Sequence, residues 1–568
     1  MLISKHWELM KKIIIYIILI PALIFSSACN EEFLERLPLD SPSSETYFAN
    51  ETELEMAVTG VYNRLWYFPV GIAWFLSFDF ASDDGWDRNG SALQALGRGE
   101  QNADNNYTNG FWSHFYRGIN RVNFITSEGN HLRDEMEVAK YDRLVGEARF
   151  IRAYFYAYLA ELYGDVPLVT TTLTLEESQT PRTSKEAVID FVLSELNEVK
   201  NYVPMNAAEK GRVTKGVVLA LISRVALWNE RWDESAAAAK ELMDSGAYQI
   251  DPDYLGIFTF AGDNSSEVIM RIQYLRGVAT HNMPRNFLSR MALGHSNKKP
   301  PQDMVDTYDC IDGLPIDESP LFNPQSPFEN RDPRLNHTLV VPGSRLINWI
   351  YETHSDSTMT WEFRGDEKIR VPNIEAAHAY ASFTGYLYRK HIDVANYPTD
   401  VGSTDQNLTI FRLGEVMLNY AEAKVELNQL DESVYTALNA IRGRESVQMP
   451  AIEGGKTQVE LRNIIRKERR HELGMEGFRY FDIRRWRVAE DIMPGPYRGR
   501  VNRYGGGGWL TEAPMIDEIG TPNYNNISNA DEMVVVETRA FNPNRDYLWP
   551  IPRIELETNT ALAQNPGY

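Results

Sequence analysis

Two carboxylates and a histidine stand close together in the run from Leu461 to Trp486, which reads LRNIIRKERRHELGMEGFRYFDIRRW. On a helical period Leu461, Ile465, Glu468, Glu472 and Met475 share one face, so both glutamates lie on the stripe that turns toward a core. Such a pair could act as general acid and base. A buried charge without a partner is costly, however, and the partners at hand are the arginines Arg469, Arg470, Arg479, Arg484 and Arg485. Arginines at both ends keep the carboxylates ionised and leave neither poised to give up a proton near neutral pH. The expected role is therefore a structural ion-pair cluster that fixes how this helix docks. His471-Glu472 would open a zinc-protease motif only with a second histidine at position 475, where Met475 stands.

The stretch ERRHELGMEGFRYFDIRRW resembles the C-terminal signature of the SusD/RagB family of outer-membrane nutrient-binding lipoproteins. Further matching stretches follow in family order: Glu147 to Val169, Gly211 to Leu227, Arg412 to Asn428 and Leu548 to Tyr568. The last of these implies a chain complete at its C-terminus. The resemblance implies a non-catalytic surface protein that captures nutrient and delivers it to a SusC-like TonB-dependent transporter, on which it sits as a lid. It also implies a helical scaffold carrying variable ligand loops.

The N-terminus agrees with export. An apolar run from Ile13 to Phe25 follows lysines and is too short to span a bilayer as a helix, which marks a signal peptide. Met10-Lys11-Lys12 would make a more usual start than Met1. Ser26-Ser27-Ala28-Cys29 resembles a lipobox, making residues 1–28 a lipoprotein signal peptide and Cys29 the lipidated N-terminus of a tether over 29–50. Several acyl chains make a lasting anchor. Glu31 and Glu32 after it resemble a surface-export signal, so the address is the outer membrane, lipid-anchored and facing the exterior.

The chain is acidic, with a formal charge of −22, and removal of residues 1–28 makes it more so. That argues against nucleic acid and against adhesion to anionic lipid. Beyond Cys29 only Cys310 remains, so no internal disulfide can form and packing must carry the fold. The acidic loops lack the spacing of a calcium loop, and no metal or cofactor is assigned.

Helical periodicity runs over Thr52–Tyr67, resumes near Phe111, and is strong over Tyr141–Tyr163, where Leu144, Ala148, Ile151, Phe155 and Leu159 form one stripe before Gly164. A further helix spans Lys185–Val199. Two helix pairs, Lys215 to Ser245 and Glu415 to Arg442, carry alanines that allow close packing and resemble imperfect tetratricopeptide units. The expected fold is mainly α. Imperfect helix pairs build a scaffold over about 51–247 and 408–568, which with the irregular, loop-rich ligand-binding region of about 248–407 forms a single domain, 51–568. Trp549-Pro550-Ile551-Pro552 cannot be helical and should lie extended across the scaffold.

Sugar recognition needs flat apolar rings beside short polar groups. Between Trp74 and Asn89 the chain offers both; Trp74, Phe75 and Phe78 read as core, whereas Trp86 stands between Gly85 and Asp87 without apolar neighbours, with Asp84, Arg88 and Asn89 beside it. Asp83 and Asp84, being adjacent, should point to opposite sides of an extended loop. Trp349, Tyr351 and Trp361 are the second set of candidate rings, with Phe363 beside them and Arg345, Asn348 and Arg364 as hydroxyl partners. Arg503 to Trp509 lacks the Gly-Lys-Ser/Thr of a phosphate loop and reads as a surface insertion. The functional expectation is glycan capture. The alternatives are peptide uptake, a surface glycoside hydrolase, for which no convincing carboxylate pair is present, and a protein-binding helical repeat, which leaves the export signal unexplained.

Overall fold

The computed structural model describes Trp7, Met10 and residues 47–568, apart from 207–208, 377, 382, 397–400 and 502–507. The chain divides into two compact units, residues 1–54 and 55–568. The lipobox around Cys29 and most of the glycine loop after Val501 lie outside the described residues. Among those described, no helix is long and apolar enough to cross a membrane.

The long helices are α1 (Glu51–Tyr62), α2 (Asn106–Glu128), α3 (Val138–Tyr163), α4 (Lys185–Val199), α5 (Lys215–Trp228) and α6 (Trp232–Asp244). After the irregular region come α7 (Leu413–Glu426), α8 (Glu432–Arg442), α9 (Gln458–Leu473) and α10 (Arg479–Arg485). Their starts follow from local chemistry. The side chains of Asn105, Ser184, Thr214 and Asp431 cap α2, α4, α5 and α8, and Thr457 with Glu460 closes a capping box on α9.

From α2 to α7 each helix packs on the next, and α7 also carries α8 and α9. The two pairs far apart in sequence therefore meet in space, through α6 and α7. Ala236 and Ala239 of α6 and Ala421 and Ala423 of α7 are all buried. Trp549 of the extended tail is fully buried; its backbone N–H donates to Leu162 O (2.7 Å) and its indole N–H to the Tyr480 hydroxyl (2.6 Å). Trp549→Ala should cost about 3–5 kcal/mol, read as a drop in the denaturant midpoint; a shift below about 1 kcal/mol would show that the tail is not part of the core.

Residues 248–407 are more ordered than their composition suggests. Strand Val268–Ile272 pairs antiparallel with Leu408–Arg412, and a four-stranded antiparallel sheet is built from Arg345–Leu346, Trp349–Ile350, Met359–Arg364 and Glu367–Pro372. The turn at Gly365, with positive φ, closes its longest hairpin.

The centre of the fold is electrostatic. Glu468 and Glu472 are buried as their spacing predicts, but the arginines that neutralise them are not their sequence neighbours. Arg334 binds Glu468 (2.5 Å) and Glu472 (3.1 Å), Arg442 binds Glu468 (2.7 Å), and Arg412 and Arg444 bind Glu472 (2.7 and 3.0 Å). Glu267, Glu476, Asp332 and Lys390 complete the network. Arg469 instead turns to Asp482 and Glu422, where Arg485 also binds, while Arg470 reaches Asp83 and Asp84. Successive helical residues point in different directions, so one turn of α9 fastens separate segments. His471 meets the Thr307 carbonyl at 2.7 Å.

Burial alone would raise the Glu468 carboxyl, but Arg334 and Arg442 outweigh it and hold it down to about 2. The same contest at Glu422, won by Arg485 and Arg469, also ends at about 2. Neither carboxylate is poised to exchange a proton near neutral pH. Asp303 and Asp306 behave oppositely. Both accept from the Tyr524 hydroxyl at 3.1 Å, and burial pushes them up to about 6 and about 7.

The signs of linkage differ accordingly. Unfolded carboxyls titrate near about 4. Glu468 and Glu422 contribute stability above that pH and lose it as the pH falls toward 2, whereas Asp303 and Asp306 contribute below about 4 and lose it as the pH rises through 7. Asp306→Asn removes one group of the second kind. Between pH 5 and 7 the variant should gain on its parent by on the order of 2 kcal/mol, followed as unfolding midpoints across pH. A difference that stays constant with pH would contradict the assignment.

Candidate functional site

The loop after Ala81 is held from below. Arg470 lies 3.0 Å from Asp83 and 2.6 Å from Asp84, and Arg479 forks onto Asp83 at 2.9 and 2.8 Å. The adjacent aspartates thus share one guanidinium instead of pointing apart. Asp84 is 1% exposed and serves the loop's base.

Trp86 is enclosed, at 6% exposure, and its indole N–H donates to Glu537 (3.0 Å). It pairs with Lys299 across a short antiparallel bridge, while Asp87 forms a fully buried ion pair with Lys298 at 2.7 Å. Of the polar neighbours that suggested exposure, Asp84 and Asp87 are themselves buried, because Arg470 and Lys298 pair with them. Arg88 and Asn89 emerge from this bridge, half-buried and exposed respectively.

The second set of rings is split by its sheet. Trp349 stands opposite Glu362, and Trp361 opposite Arg370, so the alternation along Met359–Arg364 puts the two tryptophans on opposite faces. Tyr351 is buried. Trp361 and Phe363 share a face with cations: Lys368 Nζ lies 4.5 Å and the Arg370 guanidinium 5.0 Å from the Trp361 ring, and Arg345 lies 4.2 Å from Phe363. Arg364 is occupied by Glu362 (2.8 Å). Trp74, Phe75 and Phe78 are core, as their sequence context indicates, and Trp509 packs edge-on against Phe328 under Arg500.

Sequence reading missed a different group of residues. Trp66, after α1, is 38% exposed and lies flat on Tyr274, with ring centroids 5.6 Å apart and planes 12° from parallel. Phe68 and His281 stack beside them at 5.8 Å and 20°. The signal available was Trp66-Tyr67-Phe68 directly before Pro69, where a helix must stop.

A ladder of side chains joins this platform's loop to the Trp86 loop. Asn286 Nδ2 donates to Gly71 O (2.8 Å), Asn297 Nδ2 to Asn286 Oδ1 (3.1 Å), and Arg88 Nη2 to Asn297 Oδ1 (2.7 Å). Beyond Arg88, Tyr380 is 51% exposed. Loops from four parts of the chain, which carry Trp66, Arg88, Asn89 and Tyr380, are thus tied together.

Among the described residues no group of three or more His, Cys, Asp or Glu side chains is arranged to hold a metal ion. A cavity of about 610 Å³ opens among other residues, including Glu161, Arg182 and Arg545, and several of its charges are already paired, Lys185 with Glu161 and Arg545 with Asp546.

A helical scaffold whose buried carboxylates are neutralised by arginines, and whose loops carry rings and polar groups that reach solvent, fits a binding protein. The SusD family model matches residues 266–568, and a second model, "Starch-binding associating with outer membrane", matches residues 32–227. The chain belongs to the SusD family. Among solved structures it is similar to a SusD-like carbohydrate binding protein from Bacteroides fragilis, at 29% identity and a TM-score of 0.78, covering 91% of this chain and all of that one. SusD-like protein P25 of Formosa agariphila is 25% identical over 85% of this chain and 91% of its own length. Surface glycan-binding protein A from Bacteroides fluxus, at 18% identity, shares the fold with a TM-score of 0.66, covering 92% of this chain and all of that one.

Proposed function

We propose that this protein is a non-catalytic, cell-surface glycan-binding lipoprotein of the outer membrane, which captures an oligosaccharide or polysaccharide and passes it to a SusC-like TonB-dependent transporter. The observation that carries the reading is the Trp66–Tyr274 stack, a flat ring backed by a second ring and turned to solvent. A pyranose would lay its C–H face on the indole while its hydroxyls meet groups such as Arg88 and Asn89. Lipidation at Cys29 would hold the protein at the membrane. Support also comes from the carbohydrate-binding relative of similar structure and from the outer-membrane description of the family model matched by residues 32–227.

The test is affinity electrophoresis of the soluble chain beginning at Asn30, against plant, host and microbial polysaccharides and a peptide digest, with released reducing ends assayed in parallel. Retention by a polysaccharide without cleavage is expected, and Trp66→Ala should weaken it about tenfold, the equivalent of about 1.4 kcal/mol of lost stacking. Release of reducing ends, or binding of peptides alone, would overturn the proposal.

A further inference from the structure

On a chain of net charge −22, the loop face gathers positive charge. Arg88 and Arg290 both lie against the Tyr380 ring, their guanidinium carbons 4.5 and 5.5 Å from its centroid. The His295 backbone N–H donates to the Arg285 carbonyl and the His295 carbonyl accepts from Arg88, so both residues adjoin this cluster; burial and then the charges of Arg285, Arg290 and Arg88 lower the His295 pKa. Arg285 and His295 are exposed, and Arg88 and Arg290 half-buried.

These arginines differ from those of the core in their partners. Arg88 donates to Ala379 O (3.2 Å), His295 O (3.3 Å) and Asn297 Oδ1 (2.7 Å), all neutral acceptors, and Arg290 donates to the Gly294 carbonyl. The Nε–H groups of Arg88 and Arg290 have no acceptor among the described residues. Nor does any described carboxylate lie within ion-pair distance of Arg88, Arg285 or Arg290, although elsewhere in the chain most buried arginines have one. The two acids facing the cluster are engaged: Asp87 with Lys298, and Glu375 with the Ser289 hydroxyl (2.7 Å) and the Arg290 backbone N–H.

Resting on the glycan reading above, we infer that Arg88, Arg285, Arg290 and His295 form an anion subsite, joined to the Trp66 loop through Asn286 and Asn297, so that the glycan captured is an acidic one, bearing uronate carboxylates or sulfate esters. Guanidinium groups match both anions through paired N–H donors, and Tyr380 holds two of them in place by cation–π contact. An acidic protein surface around a basic face also confines the attraction to that face.

The experiment measures the affinity of the soluble chain for three probes, a polyuronate, a sulfated polysaccharide and a neutral glucan, at low salt and in 1 M salt, where the Debye length falls to about 3 Å. The parent should bind one acidic probe, and its Kd should rise at least tenfold in 1 M salt and in R88Q/R290Q. Arg285→Gln, at an exposed position, should weaken the same probe without altering the thermal melt, which separates lost charge from lost fold. Preference for the polyuronate or the sulfated chain names the anionic group. Binding of neutral glucan alone, equal in parent and variants, would overturn the anion subsite and leave the glycan reading standing. Failure to bind any polysaccharide would overturn both.

Discussion

Glu472→Gln should destabilise the protein by about 3–5 kcal/mol. The Glu472 carboxylate accepts from Arg412 (2.7 Å), Arg444 (3.0 Å) and Arg334 (3.1 Å), and all four side chains are essentially inaccessible to water. Replacing one oxygen by an amide leaves these guanidiniums short of an acceptor in a place that water does not reach, and the loss includes the desolvation of charges left behind. Glu362→Gln is the comparison. Glu362 pairs with Arg364, which is largely exposed, and such a pair is worth at most about 1 kcal/mol. Denaturant midpoints of the two variants should differ severalfold in their shift from the parent. Equal shifts would mean that the network is not what holds α9 in place.

Gly477→Ala should be the more damaging change to the backbone. Gly477 has φ of +85°, and a Cβ there would sit 1.8 Å from the carbonyl oxygen of Phe75, a backbone atom that cannot swing aside. Left-handed backbone alone costs a non-glycine residue about 1–2 kcal/mol, before the clash is counted. The glycine N–H also donates to Asp79 Oδ2 at 2.8 Å, so the close approach ties the turn between α9 and α10 to the segment that leads into the Trp86 loop. The expected result is little or no soluble folded protein. Gly60→Ala, in α1 with nothing within 4 Å of the added carbon, should instead be neutral or stabilise by up to about 1 kcal/mol. Normal yield and an unchanged melt for Gly477→Ala would remove this turn from the determinants of the fold.

Both variants act on the scaffold, yet both bear on the binding face. Arg470 and Gly477 hold Asp83, Asp84 and Asp79, and the loop that displays Arg88 and Asn89 rises from these anchors. A binding face of loops keeps its geometry only if the residues beneath are over-determined, and here buried ion pairs and a close backbone contact supply that constraint.

Much of the scaffold was legible in the residue pattern. The stripe of α3, the two helix pairs, the helix over Lys185–Val199 and the stop at Gly164 are local signals, decided by neighbours within a turn or two. The burial of Glu468 and Glu472 was legible for the same reason, since helical spacing assigns a face. Their partners were not: Arg334, Arg412, Arg442 and Arg444 are distant in sequence and are brought in by tertiary packing, while the nearer Arg469 and Arg470 point elsewhere.

The same division separates the candidate rings. Local polarity around Trp86 suggested an exposed ring, but tertiary packing buries it with its indole N–H on Glu537; Trp349 and Trp361 share a short stretch of chain, yet strand register sets them on opposite faces. Trp66, Arg88, Arg290 and Tyr380 carry no common sequence signal, and it is side-chain amides that tie their loops together. By itself the sequence determined the family resemblance, the helices and the buried charge stripe, because each is written in spacings of a few residues. Which arginines neutralise that stripe, which rings reach solvent and where positive charge collects were decided by tertiary structure alone, because each depends on residues tens to hundreds of positions apart whose approach no local pattern encodes.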